Sequence, residues 1–217
     1  MRELTSPAGP ARSVVRADGW CHASDVPSFV SPAIAPGSLS STAQPVLSVG
    51  SVQLRPWTGD DASAVVAAYQ EPAIQRWHAR SMTTEEADEW ITAAGAAWAA
   101  ETGASWAIDH DGALAGRMTL TFHLADGFAT AAYWIRAHAR GRGIAPQALG
   151  MATDWVFSVG MHRVELEHST MNAASCRVAS KVGFDAEGTR RESVLHADGW
   201  HDMHVHAKIH DVQAPGP

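Results

Sequence analysis

The chain has 217 residues, 46% of them apolar and 18% charged, with a formal net charge of −7. Such a composition suits one folded domain with a real core, and no apolar run approaches the roughly 18 residues of a membrane-crossing helix. Lys181 and Lys208 are the only lysines, and the acidic balance argues against a broad nucleic-acid-binding surface while fitting a cationic or amine-bearing substrate. Cys21 and Cys176 form neither a disulfide framework nor a metal pattern by their spacing. The opening Met1-Arg-Glu-Leu-Thr-Ser-Pro7 lacks the apolar stretch of a secretory signal. The expected setting is reducing and cytoplasmic.

Residues 1–48 carry Pro7, Pro10, Pro27, Pro32, Pro36 and Pro45 among many Ser and Ala, without sustained periodicity. That pattern predicts a disordered extension, because it offers too little apolar surface to offset chain entropy. The alternative is that Val14, Val15, Trp20, Phe29 and Val30 dock on the domain or on a partner. The domain proper is expected over 49–212, with a flexible tail at 213–217.

From Val52 onward strands and helices alternate. A first strand spans Ser51 to Pro56, and a helix opened by Asp residues spans Asp60 to Gln70. A connection, Glu71 to Arg80, leads to a second helix starting at Thr83-Thr84-Glu85-Glu86 and ending near Ala100. Ser105–His110 and Ala113–Leu124 read as a hairpin around Asp111-Gly112. Phe128–Arg136 is the next strand, and a helix over Pro146–Val159 ends at Gly160. Alternation of Val164 and Leu166 with Glu165 and Glu167 makes Arg163–His168 a half-buried strand. Asn172–Val182 is a helix stopped by Gly183, and two last strands flank Asp198-Gly199.

Between the strand at Phe128 and the helix at Pro146 lies Arg140-Gly141-Arg142-Gly143-Ile144-Ala145. Two glycines let the backbone approach an anion closely, a helix N-terminus follows, and arginines add forked donors. The loop suits a pyrophosphate. It lacks the Gly-Lys-Ser/Thr of a Walker loop and the third glycine of a dinucleotide fingerprint.

The segment Ala132 to Ala145 resembles motif A of the GNAT acyltransferase superfamily, in which Arg/Gln-x-x-Gly-x-Gly/Ala grips the pyrophosphate of acetyl-CoA. His162-Arg163-Val164-Glu165, Asn172-Ala-Ala-Ser175, Lys181-Val-Gly-Phe184 and Glu187-Gly188 resemble its RimJ/RimL branch, which acetylates protein N-termini and has relatives acting on small amines. The resemblance covers roughly Val52 to Ile209. It implies a single α/β (α+β) domain with a mixed, mostly antiparallel sheet of about seven strands, helices on both faces and a splayed central pair. The splayed strands would be Ala131–Arg136 and Arg163–His168, opening a slot for a pantetheine arm.

The resemblance further implies an N-acetyltransferase that moves acetyl from acetyl-CoA to a primary amine by direct attack in a ternary complex. The acceptor would be a protein or peptide N-terminus or an amino-bearing metabolite or antibiotic. Trp134, Ile135, Arg140, Gly141, Arg142, Gly143, Ile144, Ala145 and Asn172 would hold acetyl-CoA. Ser175, in the position of the branch's thiolate-protonating serine, is either that acid or a capping residue. Glu192, after Arg190-Arg191, is either the base or a solvated strand charge. The hairpin that follows runs about two residues longer than in the branch. Trp77 either stacks on the acceptor or covers the core edge, and His78 is an alternative base. His138 would assist phosphate binding. His204 and His206 share one strand face as metal ligands do, but apart from Asp202 no cysteine or carboxylate completes a set, and the superfamily uses no metal. Cys176 needs no nucleophilic role and reads as packing. The expected partners are acetyl-CoA and the amine acceptor, with neither nucleic acid nor membrane, and a homodimer is compatible. The competing reading is a non-catalytic acyl-CoA-binding sensor or scaffold.

Overall fold

A computed structural model of the chain describes residues 30–211, with the folded unit running from Pro32. The strands are β1 (Leu47–Val49), β2 (Val52–Pro56), β3 (Gly103–His110), β4 (Ala113–His123), β5 (Phe128–Ile135), β6 (Arg163–Ser169), β7 (Asp185–His196) and β8 (Gly199–Ile209). The helices are α1 (Ala62–Ala68), α2 (Pro72–His78), α3 (Thr84–Ala99), α4 (Ile144–Ser158) and α5 (Ala173–Val182). The strands form one sheet in the order β1-β2-β3-β4-β5-β6-β8-β7. Neighbours are antiparallel except β5 and β6, which run parallel. Among the described residues no helix is long and apolar enough to cross a membrane.

Strand alternation divides the core between the two faces of the sheet. Trp106 and Ile108 face a cluster built with Ile144, Leu149, Ala152 and Val156 of α4. Ala107, between them, faces a second cluster with Val65 of α1, Ile74 of α2 and Ala87 of α3. Local signals set the helix ends. Thr83 accepts from the Glu86 N–H while Glu86 accepts from the Thr83 N–H at 2.7 Å, a reciprocal cap on α3. The Asn172 side chain caps α5, and Gly183, at φ 82°, ends it.

Two expectations change, and the sheet of about seven strands holds with one strand more. The Glu71–Arg80 connection contains a helix, α2, with Pro72 in its first turn, where the missing N–H costs nothing. The sheet has an eighth strand, β1, turned onto β2 through Gly50. And the extension expected over 1–48 is wrong for residues 32–48, which are bound to the domain. Ile34 and Leu39 are buried in the α4-side core. Glu101 accepts backbone N–H bonds from Leu39 at 2.6 Å and Ser40 at 2.7 Å, and those bonds hold its carboxyl below the usual carboxylate range. Trp98 and Trp106 donate to the carbonyls of Thr42 and Pro45. Two apolar side chains and a carboxylate clamp replace the periodicity the segment lacks. The proposed docking residues Val14, Val15, Trp20 and Phe29, and the tail at 213–217, lie outside the described residues.

Candidate functional site

Parallel pairing of β5 with β6 runs from Phe128↔Arg163 to Ala131↔Leu166 and stops there. Beyond that rung the strands part, and Ala132–Ile135 and Glu167–Ser169 form opposing walls of a cavity of about 540 Å³. Peptide groups facing a parted pair lack ladder partners, so an entering chain that carries amides can pair with them.

One end of the cavity is built from backbone. Glu71 accepts from Arg136 Nε at 3.0 Å and from the Ala137 N–H at 2.8 Å, fixing where β5 ends. A 3-10 turn over Ala137–Ala139 leads to Arg140, whose Nε donates to the Ile135 carbonyl at 2.9 Å. Gly141 (φ 77°) and Gly143 (φ 74°) both occupy the left-handed region, and Gly143 is the N-cap of α4. A side chain at Gly141 would meet no protein atom within 4 Å. Backbone conformation and the space kept open therefore require glycine, rather than crowding by the protein. Trp134, Ile135, Arg140, Gly141, Gly143, Ile144 and Ala145 line this end, and Arg177 and Lys181 of α5 add cations. Arg142 lines an adjoining depression that shares Gly143, Pro146 and Lys181 with this cavity. His138 is exposed in the 3-10 turn and is not among the lining residues.

At the middle of the cavity Asn172 and Ser175 both line the wall. Asn172 Oδ1 accepts from the Ser175 N–H at 3.1 Å, which assigns the cap to Asn172 and leaves the Ser175 hydroxyl for other work. The Tyr133 hydroxyl donates to Ser175 Oγ at 3.2 Å. Burial raises the pKa of Tyr133, so it stays protonated, and Ser175 keeps its own proton to give. Tyr133 was not singled out from sequence; its position within the strand before the glycine loop was the available signal.

The other end is built from side chains. Trp77 and His78 of α2, His196 at the end of β7 and Met203 of β8 line it. Burial, then the charges of Arg117 and Arg80, push His78 down to about 4. His196 is also lowered, by burial and then by His201, while the backbone at Arg76 hydrogen-bonds its ring. Its Nε2 is buried without a hydrogen-bond partner. Nearby, Ser169 Oγ lies 2.8 Å from His201 Nδ1, and His201 Nε2 lies 2.8 Å from Asp198. Asp198 is half exposed, so this chain reaches from the cavity wall to solvent. Of the histidines at this end only His78 was singled out from the sequence; His196 and His201 were given no role there, because β7, β8 and α2 meet only in the fold.

Glu192, the base expected from the resemblance, does not line the cavity. Between the pairs Arg190↔Met203 and Val194↔His201, three β7 residues (Arg191, Glu192, Ser193) face only Asp202 of β8. Between these pairs the bulge sets two more residues on β7 than on β8. Glu192 sits exposed within it at φ 46°, its N–H donating to Asp202 at 2.8 Å. The carboxylate on the cavity wall is Glu167, ion-paired with Arg190 at 2.6 Å.

A further expectation, that no cysteine joins His204 and His206, also changes. α5 crosses the face of β6 and β8 on which both histidines lie, and brings Cys176 to them together with His168.

Comparison with known proteins follows the same lines. Residues 51–185 match the family model described as an acetyltransferase (GNAT) domain. No curated protein sequence matches the chain. Among solved structures, the ribosomal-protein-S5-alanine acetyltransferase from Vibrio fischeri superposes with a TM-score of 0.71 at 17% identity, covering 79% of this chain and 100% of its own. An acetyltransferase from Salmonella typhimurium that modifies the N-terminal serine of ribosomal protein L7/L12 gives 0.70 at 19% identity, with 77% and 100% covered. Mycobacterium smegmatis RimJ, in complex with CoA-disulfide, gives 0.67 at 27% identity, with 76% and 86% covered. A family match over more than half the chain, on a sheet that parts beside a glycine loop, settles the assignment: this chain belongs to the GNAT acetyltransferase family, and its structural neighbours include ribosomal-protein acetyltransferases.

Proposed function

We propose that this protein transfers an acetyl group from acetyl-CoA to the α-amino group of a peptide or protein, by direct attack within a ternary complex. The observation that carries the reading is the cavity opened where β5 and β6 part, which joins the glycine loop to Trp77 and His196. The pyrophosphate meets the N–H groups around Gly141–Ala145 and the charges of Arg140, Arg177 and Lys181. The pantetheine amides pair along Ala132–Ile135, and the thioester comes to rest beside Ser175. The neighbours named for S5 and L7/L12 support a peptide end as acceptor.

The chemistry balances with groups at hand. His196, neutral and with a free Nε2, takes one proton from the ammonium, and the amine nitrogen then attacks the thioester carbonyl. As the C–S bond breaks, Ser175 protonates the departing sulfur. The second proton that the nitrogen loses restores the serine hydroxyl, held by Tyr133. Holding donor and acceptor in one cavity supplies much of the acceleration, because the thioester is already activated.

The test is release of free thiol from acetyl-CoA with peptides beginning in Ala or Ser. Turnover is expected, with Ser175→Ala and His196→Gln each lowering kcat by ~10²-fold while calorimetric acetyl-CoA affinity stays within a few-fold. Intact acetyl-CoA binding without turnover on any amine would replace this reading with a non-catalytic acyl-CoA-binding module.

A further inference from the structure

We propose that His168, Cys176, His204 and His206 form a binding site for one divalent transition-metal ion of the zinc type. The antiparallel register of β6 and β8 sets His168 opposite His204 and Leu166 opposite His206, so the three imidazoles share one sheet face. α5 packs over that face and supplies Cys176 from its first turn. The four donor atoms all lie within 4.8 Å of one another.

The polar bookkeeping of this cluster is incomplete without a ligand. His168 and His206 are 5% and 2% exposed. Nε2 of His168 and both ring nitrogens of His206 are buried with no hydrogen-bond partner. Buried polar atoms left so are rare, because each forfeits its hydration. The rings of His168 and His206 stack at 5.0 Å, a contact that satisfies neither orphan nitrogen. His168 is already set as a ligand. Its Nδ1 lies 2.9 Å from the Ser169 carbonyl, which places the proton there and leaves a lone pair on Nε2, the support that metal-bound histidines ordinarily have.

Three imidazoles and one thiolate suit a tetrahedral ion of intermediate softness, zinc above magnesium or calcium, which prefer oxygen. Metal–nitrogen bonds of about 2.0–2.1 Å and a metal–sulfur bond of about 2.3 Å put tetrahedral donors roughly 3.3–3.7 Å apart. The outermost pair therefore draws in by about 1 Å, within reach of side-chain rotation. Four protein donors close the coordination sphere, so the ion is structural. It ties the first turn of α5 to the sheet and holds Ser175, the residue before Cys176, against the cavity. The site stands whether or not the proposed acetyl transfer does.

Cobalt(II) titration of the full-length, chelator-treated protein tests it. One equivalent is expected to bind with tetrahedral d–d intensity and a thiolate-to-cobalt charge-transfer band, both removed by zinc. Cys176→Ser should abolish the charge-transfer band, and His204→Ala, at a half-buried position, should weaken cobalt binding by at least about 100-fold, beyond the cost of disturbing a supporting residue. Far-UV circular dichroism establishes that both variants are folded, and Cys21→Ser, the other cysteine, should keep the band. The proposal is overturned if the parent shows no charge-transfer band, if the band survives Cys176→Ser, or if folded His204→Ala binds cobalt as the parent does.

Discussion

The two ends of the cavity are made from different materials. Around Gly141–Ala145 the main chain builds the surface, through two left-handed glycines and a helix N-terminus, with side chains contributing charge at the margin. Around Trp77, His78 and His196 the main chain is only a scaffold, and aromatic and imidazole side chains from α2 and β7 form the surface. A surface of backbone donors recognises a group every acyl-CoA carries and tolerates little change. A surface of side chains can be altered residue by residue without unfolding anything, which suits the end proposed to select the acceptor.

The largest expected effect breaks the backbone-built end. Gly143→Val forces a β-branched residue into a φ of 74° and fills the open concavity. Calorimetry should record a loss of acetyl-CoA affinity of roughly 2–4 kcal/mol, the range for charge-assisted bonds lost together with backbone strain. Unchanged affinity would remove the loop from the donor site.

Next comes a pH effect at the side-chain end. The folded protein holds His78 at about 4, below its ordinary value of 6.5. The unfolded chain therefore binds a proton first as pH falls, and the stability present above pH ~6.5 is lost progressively toward pH ~4. By pH 5 the loss should reach on the order of 2 kcal/mol. Denaturant melts at pH 7 and pH 5 measure it, and His78→Gln should flatten the difference. An equal pH slope in parent and variant would mean that His78 titrates normally.

The smallest effect sharpens the contrast. Trp77→Ala removes the ring that meets His196 and His201 edge-on at 6.0 and 6.4 Å. Steady-state kinetics should show KM for the peptide rising by up to about tenfold, equivalent to the 0.5–1.5 kcal/mol of an aromatic contact, with acetyl-CoA affinity untouched. A matching loss of acetyl-CoA affinity would show that the two ends are not separate.

The same contrast explains what could be read from the sequence. A site made of backbone needs glycines at fixed positions before a helix, and Gly141 and Gly143 stand where the motif requires them. The Asn172 cap and the Gly183 stop were equally local, as was the turn at Asp111-Gly112. Side-chain sites assemble across long separations and leave no spacing to read. Cys176 reaches His204 and His206 only because α5 crosses two strands that pair in antiparallel register. The segment 32–48 was misjudged for a related reason. Its hold on the domain is made of contacts distant along the chain: Ile34 and Leu39 in the core, the indoles of Trp98 and Trp106, and the carboxylate of Glu101 more than 60 residues away. Glu192 failed on a different point: a motif fixes a residue's number, but a bulge decides which way it faces.

That bulge has a consequence beyond catalysis. β7 is the last strand of its sheet, and its outer side presents peptide groups on which another chain could add and grow a fibril. The register of β7 breaks between Ala186 and Gly188 and again between Arg190 and Val194, where Arg191 and Glu192 lie exposed. A strand interrupted twice and charged at the interruption offers no straight run of donors and acceptors for an incoming chain to copy. The stretch that resembled a source of catalytic base is, by its shape, what keeps the sheet finite.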